Sequence, residues 1–355
     1  MDQSPPHSPS RPTAPIASNR INAWIVRWLL FFLICLGLGY PAVQRYDPRR
    51  TEGLSDAAVY YRMVAGEKIE AREMRFRVLV PYIARPFHAL ARKFIEPERA
   101  VYASLLISNA IFCAVSACLL VALGRRITGN TATALLAATL YLLNFAVMNL
   151  QLAAMVDAGE ACILLAVTLT LFSGRWWLLL VWGVLGTLAK ETFVPLATVL
   201  ALGWWFVAYR NRPHRWRSLL PIIAMITVMV ATVGILRSTI AGNMAISDML
   251  EQTHAGSGGF GGRLSVLFSP TVWYVFIWLL PLGAIRLNRL PRPWVLASLL
   301  SGVAVLIPGI YRDIGGNLAR TLFDVLGPLL SLSAAIWLTE PGKSTATGVT
   351  SDIQS

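Results

Sequence analysis

A chain of 355 residues that is 56% hydrophobic and only 14% charged has the composition of a membrane protein, not of a soluble domain. Apolar runs of roughly 17–25 residues recur along it, each able to cross a hydrocarbon core, so one polytopic membrane domain is expected. The net charge of +13 sits mostly in short clusters between apolar runs, which points to topology and anionic lipid and excludes nucleic acid as a partner.

Residues 1–19 are rich in Pro and Ser and carry no apolar pattern, so a disordered cytoplasmic tail is expected there. The first apolar run, about 21–40, is too long for a signal peptide and lacks a cleavage pattern, and it is read as a helix. Further spans are expected at about 100–123, 131–152, 157–173, 176–189, 192–209, 218–240, 271–287, 293–309 and 321–338. The expected fold is therefore an all-α polytopic membrane domain over 20–338 with about ten transmembrane helices, followed by a second polar tail, 339–355.

Arg125-Arg126, Arg175, the run Arg210/Arg212/Arg215/Arg217 and Arg286/Arg289/Arg292 occupy alternate connections. Cytoplasmic loops carry the excess of Lys and Arg, so these connections and both termini are expected in the cytoplasm. The opposite side then receives the loop 43–99, Lys190-Glu191, the glycine-rich loop 241–270 and the loop 310–320. It also collects Asp56, Asp157, Glu160, Glu191, Asp248, Glu251 and Asp313. Ionisable groups near a bilayer are costly unless they face a cavity or a partner, so this one-sided collection suggests a polar site. Two local alternatives stand beside it: Glu191 pairing with Lys190, and Asp157 capping the helix that follows it.

The four cysteines, Cys35, Cys113, Cys118 and Cys162, all fall inside expected spans and read as packing residues. The four histidines are scattered and form neither a zinc pattern nor a Ser/His/Asp arrangement.

The loop 43–99 carries the densest chemistry. Ser55 is a cap for a short helix that Gly66 would end, and on it Asp56 and Tyr60 share a face. Apolar residues at 76, 79, 80, 83, 87, 90 and 94 have helical spacing, with Arg77, Arg85, Arg92 and Lys93 off the stripe. That segment is too charged to cross and is expected to lie in the outer interface, with Pro81 and Pro86 bending or restarting it. A carboxylate and several guanidiniums at headgroup level suit a phosphate-linked donor: arginine clamps phosphate, and a carboxylate deprotonates an acceptor hydroxyl.

Three stretches carry a resemblance to a known family. They are Asp56-x-x-x-Tyr60-Tyr61 with Phe76-Arg77-Val78-Leu79-Val80-Pro81; Leu188-Ala189-Lys190-Glu191-Thr192; and Gly316-Asn317-Leu318-Ala319-Arg320. Their order, after an N-terminal span and a large outer loop, resembles the GT-C superfamily of membrane glycosyltransferases over roughly 20–338. The resemblance implies an inverting transfer of a sugar from a polyprenyl-phosphate donor to a lipid or glycan acceptor outside the cytoplasm, in a bacterial inner membrane. It implies Asp56 as the catalytic acidic residue, with Asp47 as the rival. Tyr60, Tyr61, Arg77, Lys190, Glu191, Arg312 and Arg320 become the candidates for binding donor and sugar, joined by Tyr311. Some members use a divalent metal, Mg or Mn, for which Asp56 and Asp157 are the candidate ligands. A transporter or flippase for a lipid-linked or polar solute is the competing expectation, and a non-catalytic assembly subunit a third.

Overall fold

The computed structural model describes residues 18–45, 55–67, 73–211, 215–240, 270–312 and 315–340. Among them every regular element is helical and no strand occurs, as expected where lipid offers no partner to a backbone N–H or C=O. In chain order the helices are α1 (Ser18–Arg45), α2 (Ser55–Ala65), α3 (Leu79–Ala91), α4 (Pro97–Thr128), α5 (Thr131–Leu142), α6 (Asp157–Ser173), α7 (Leu178–Ala189), α8 (Phe193–Tyr209) and α9 (Arg215–Ile240). The short pieces α10 (Pro270–Trp273) and α11 (Leu279–Ala284) precede α12 (Arg292–Arg312) and α13 (Gly315–Thr339).

Among the described residues, four segments are long and apolar enough to cross a membrane: Ile21–Pro41, Pro97–Thr128, Trp216–Thr239 and Leu318–Thr339. Helices α5, α7, α8 and α12 are apolar but shorter. The windows in α1 and α9 are only 11% and 22% buried, against 83% in α13. Such apolar exposure is unfavourable in water and costs nothing in hydrocarbon, which is the membrane character of the chain expressed as packing. Helix α6 sits at the centre, against α4, α7, α8 and α13, and every residue from Asp157 to Thr168 is buried. A helix apolar all round belongs in the interior.

Two expected spans are interrupted. The run 131–152 leaves the helix after α5, and a π-helical turn follows at Val147–Gln151. Asn144 sits at the break. Its Nδ2 donates to the carbonyl of Val275 at 2.9 Å and its Oδ1 accepts from the Ala146 N–H at 2.9 Å. The run 271–287 breaks in turn into α10, a 3-10 turn at Tyr274–Phe276, and α11. Pro281 in α11 offers no N–H to continue a ladder. Asn144 thus joins one break to the other.

Helix α2 forms where it is expected, and Gly66 ends it in the left-handed conformation at φ +80°. Arg85 donates through Nε and Nη2 to the Met63 carbonyl at 3.2 and 3.0 Å, placing a cation on the C-terminal turn of α2. The expected single helix over 76–94 is instead a 3-10 turn at Glu73–Phe76 followed by α3. Pro81 falls in the first turn of α3, where its missing N–H removes no bond. Phe76 and Val80 of the apolar stripe are buried, whereas Leu90 and Phe94 remain exposed. A separate apolar cluster, including Ala57, Tyr60, Met63, Phe76, Val80, Leu105 and Met155, seats α2 and α3 on α4 and on the turn before α6. Burying a side chain of the Phe76 or Val80 kind contributes about 1.5–3 kcal/mol.

Candidate functional site

The turn ahead of α6, the α7–α8 junction and the start of α13 meet at one end of the bundle, and all three are polar there. Asp157 and Glu160 occupy the first turn of α6, the positive end of its dipole, and Lys190 follows the last residue of α7, the negative end of its dipole. The Lys190 Nζ donates to Asp157 Oδ1 at 2.7 Å and lies 3.0 Å from Glu160 Oε2. It is 7% exposed. Thr192 Oγ1 donates to Glu160 Oε1 at 2.5 Å. On α13, Arg320 Nη1 stands 3.5 Å from Asp157 Oδ2. One turn further along α13, Asp324 Oδ1 accepts from Gln151 Nε2 at 2.9 Å.

A further ion pair lies beside this cluster. Arg77 donates through Nε to Glu191 Oε2 at 2.9 Å and through Nη2 to Glu191 Oε1, a forked geometry that carries two parallel bonds. Its Nη1 donates to the Tyr60 hydroxyl at 2.7 Å. Burial alone would lower the pKa of Arg77, but Glu191 and the Tyr60 oxygen outweigh it and the guanidinium is held charged. Burial likewise pushes the Glu191 carboxyl up, and Arg77 more than reverses this, leaving it below the usual glutamate range.

The structure therefore brings Tyr60, Arg77, Asp157, Lys190, Glu191 and Arg320 to one region, with partners that differ from those expected. Glu191 pairs with Arg77, not with Lys190. Asp157 makes no side-chain cap; the residue before α6 is Val156, and the carboxylate is spent on Lys190 and Arg320. Tyr60 is buried and bonded to Arg77, so its ring offers no open face to a sugar, whereas Tyr61 is half-buried, with the Tyr102 ring edge-on at 4.3 Å. Asp56 lies in the first turn of α2, but its side chain falls outside the described residues, as do those of Tyr311 and Arg312 on α12. Asp47, Asp248, Glu251, Asp313, His254 and the glycine-rich stretch 241–269 also lie outside them.

Two members of the site were not expected from sequence. Asp324 sits inside the apolar run 318–338, and a lone acid in such a run is by itself a reason to suspect function. Gln151 closes a span in the sequence reading and is an acceptor and donor in the folded chain: besides its bond to Asp324, its Oε1 lies 3.7 Å from the Cys113 thiol.

Asp157, Glu160 and Asp324 each offer an oxygen within 4.8 Å of the others. A divalent ion would nonetheless have to displace the Lys190 ammonium, which already bridges two of the three carboxylates. With Lys190 seated, the donor set does not suit a resident Mg or Mn. The expected pairing of Asp157 with Asp56 at a metal involves an Asp56 side chain that lies outside the described residues. No model of a known protein family and no curated protein matches the chain.

Proposed function

We propose that the chain is a polytopic membrane glycosyltransferase that moves a sugar from a polyprenyl-phosphate donor to a lipid or glycan acceptor. The observation that carries the reading is the gathering of three cations from distant parts of the chain: Lys190 and Arg320 on Asp157, and Arg77 on the neighbouring Glu191 and on Tyr60 of the helix that bears Asp56. In this reading about ten spans hold the site on the outer face of a bacterial inner membrane, with both termini in the cytoplasm.

Each of the three cations already faces a carboxylate. The phosphodiester of the donor, with one negative charge, competes for them as a bidentate acceptor and gains its second charge only as the sugar departs, and the carboxylates keep the cations aligned until it arrives. Asp56 takes the proton of the acceptor hydroxyl as that oxygen forms a bond to the anomeric carbon. The bond from the anomeric carbon to the phosphate oxygen breaks, and the electron pair leaves with the polyprenyl phosphate, where the cations offset the developing charge.

A transporter or flippase is the second reading, favoured by one feature: the two interrupted segments joined by Asn144 and Val275. Broken helices beside buried ionisable groups are a hallmark of transport sites. A transfer assay on the purified chain separates the two. Asp56→Asn is expected to abolish transfer with the protein still folded, because it removes the base and changes little volume. Wild-type turnover in that variant would remove Asp56 from the chemistry.

A further inference from the structure

Among the described residues the inner cluster holds three carboxyl groups, Asp157, Glu160 and Asp324, and two cations, Lys190 and Arg320. The Arg77–Glu191 pair is neutral by itself and cannot make up the difference. An uncompensated carboxylate in a buried, low-dielectric region costs many kcal/mol, and such a group takes up a proton instead.

Geometry indicates which carboxyl carries it. Asp157 has Lys190 at 2.7 Å and Arg320 at 3.5 Å, and Glu160 has Lys190 at 3.0 Å and the Thr192 hydroxyl. Asp324 has no ion pair among the described residues. Its Oδ1 accepts from an uncharged amide, Gln151, and its buried Oδ2 has no hydrogen-bond partner. Asp324 also lines a small cavity, with room for about one water, together with Thr168 of α6, Ser298 and Trp294 of α12 and Pro328 of α13. The Ser298 hydroxyl is buried and likewise lacks a partner. The remaining lining is apolar (Leu164, Leu165, Leu200 and Val325), which does not supply the five or six oxygens a bare metal cation needs.

We infer that Asp324 is a protonated carboxylic acid, and that it and the Ser298 cavity form an internal proton-binding site holding one proton or one hydrogen-bonded water beside it. The O–H gives Oδ2 a donor role, which a water enclosed in that cavity can accept. The groups that face Asp324 are Asp157 and Glu160 from α6, Lys190 from the α7–α8 junction, Arg320 on its own helix, and, through Gln151, Tyr141 of α5 and Cys113 of α4. Loss of the proton would leave the inner cluster one negative charge in excess, so release requires a compensating cation or a shift of Lys190. This inference does not depend on the transferase reading.

Infrared spectroscopy of the full chain near neutral pH tests it without a variant. Aspartate carrying 13C in its side-chain carboxyl should shift a protonated-carboxyl C=O band, because that band belongs to an aspartic acid. Asp324→Asn should remove the band and Asp324→Glu should move it in frequency while making it insensitive to the aspartate label; either variant that folds is enough. Absence of any label-sensitive protonated-carboxyl band at neutral pH would overturn the inference. A band that survives both substitutions unchanged would overturn it equally.

Discussion

Lys190 is the residue on which the most charge depends, since one ammonium bridges two buried carboxylates. Lys190→Met should therefore destabilise the chain by about 3–5 kcal/mol, the usual result of stranding one side of a buried pair. Thermal unfolding in detergent would show it, and adding Glu160→Gln to that variant should recover part of the loss. The Arg77–Glu191 pair makes a pH prediction. The folded Glu191 carboxyl lies below its ordinary range, so the pair's contribution is complete above the unfolded glutamate value and is lost as the pH falls through the folded one. The advantage of wild type over Glu191→Gln in melting temperature should therefore be constant near neutrality and shrink on acidification below about pH 4.5; a difference independent of pH would contradict the pairing. At this scale the residue types were legible in the sequence, and their partners were not. Arg77 and Glu191 are 114 positions apart, and Gln151 and Asp324 are 173 apart. Sequence spacing cannot choose among cations at such separations, and the adjacent Lys190 was the natural but mistaken partner for Glu191.

The elements show why the junctions carry the site. The α7–α8 hairpin that presents Lys190 and Glu191 is closed by Gly186 against Phe193, and a Cβ on Gly186 would come well inside contact distance of the Phe193 ring. Gly186→Ala should cost about 1–3 kcal/mol or more through overpacking and displace Lys190 with it. The turn before α6 offers the opposite experiment. Ala154 holds φ +67°, a left-handed conformation that costs a residue with a Cβ about 1–2 kcal/mol. Ala154→Gly should thus be neutral or mildly stabilising in the same unfolding assay, and a large loss would show that the turn is not strained there. Helix positions were readable because length and apolar periodicity are local properties: α1, α4, α9 and α13 fall where the apolar runs do. The interruptions at Asn144 and around Ile277 were not, because a carbonyl 131 residues away stabilises the first of them. The segment 76–94 kept its buried face only over its first half, where α2 and α4 cover it.

For the whole molecule, the division between a lipid-facing rim and a charged interior end explains the composition met at the outset. Helices α1 and α9 carry exposed Trp, Ile and Leu side chains, while the ionisable residues with buried partners gather around the start of α6 and α13. The central claim is that this end of the bundle holds a lipid-linked phosphate. Binding of a short-chain polyprenyl phosphate to the purified full chain tests it most directly, with the matching polyprenol as the uncharged control. Saturable binding is expected that requires the phosphate and weakens about tenfold or more in Arg320→Ala, a loss of about 1.4 kcal/mol. Equal binding of the polyprenol, or an Arg320→Ala variant that binds the phosphate as wild type does, would contradict it.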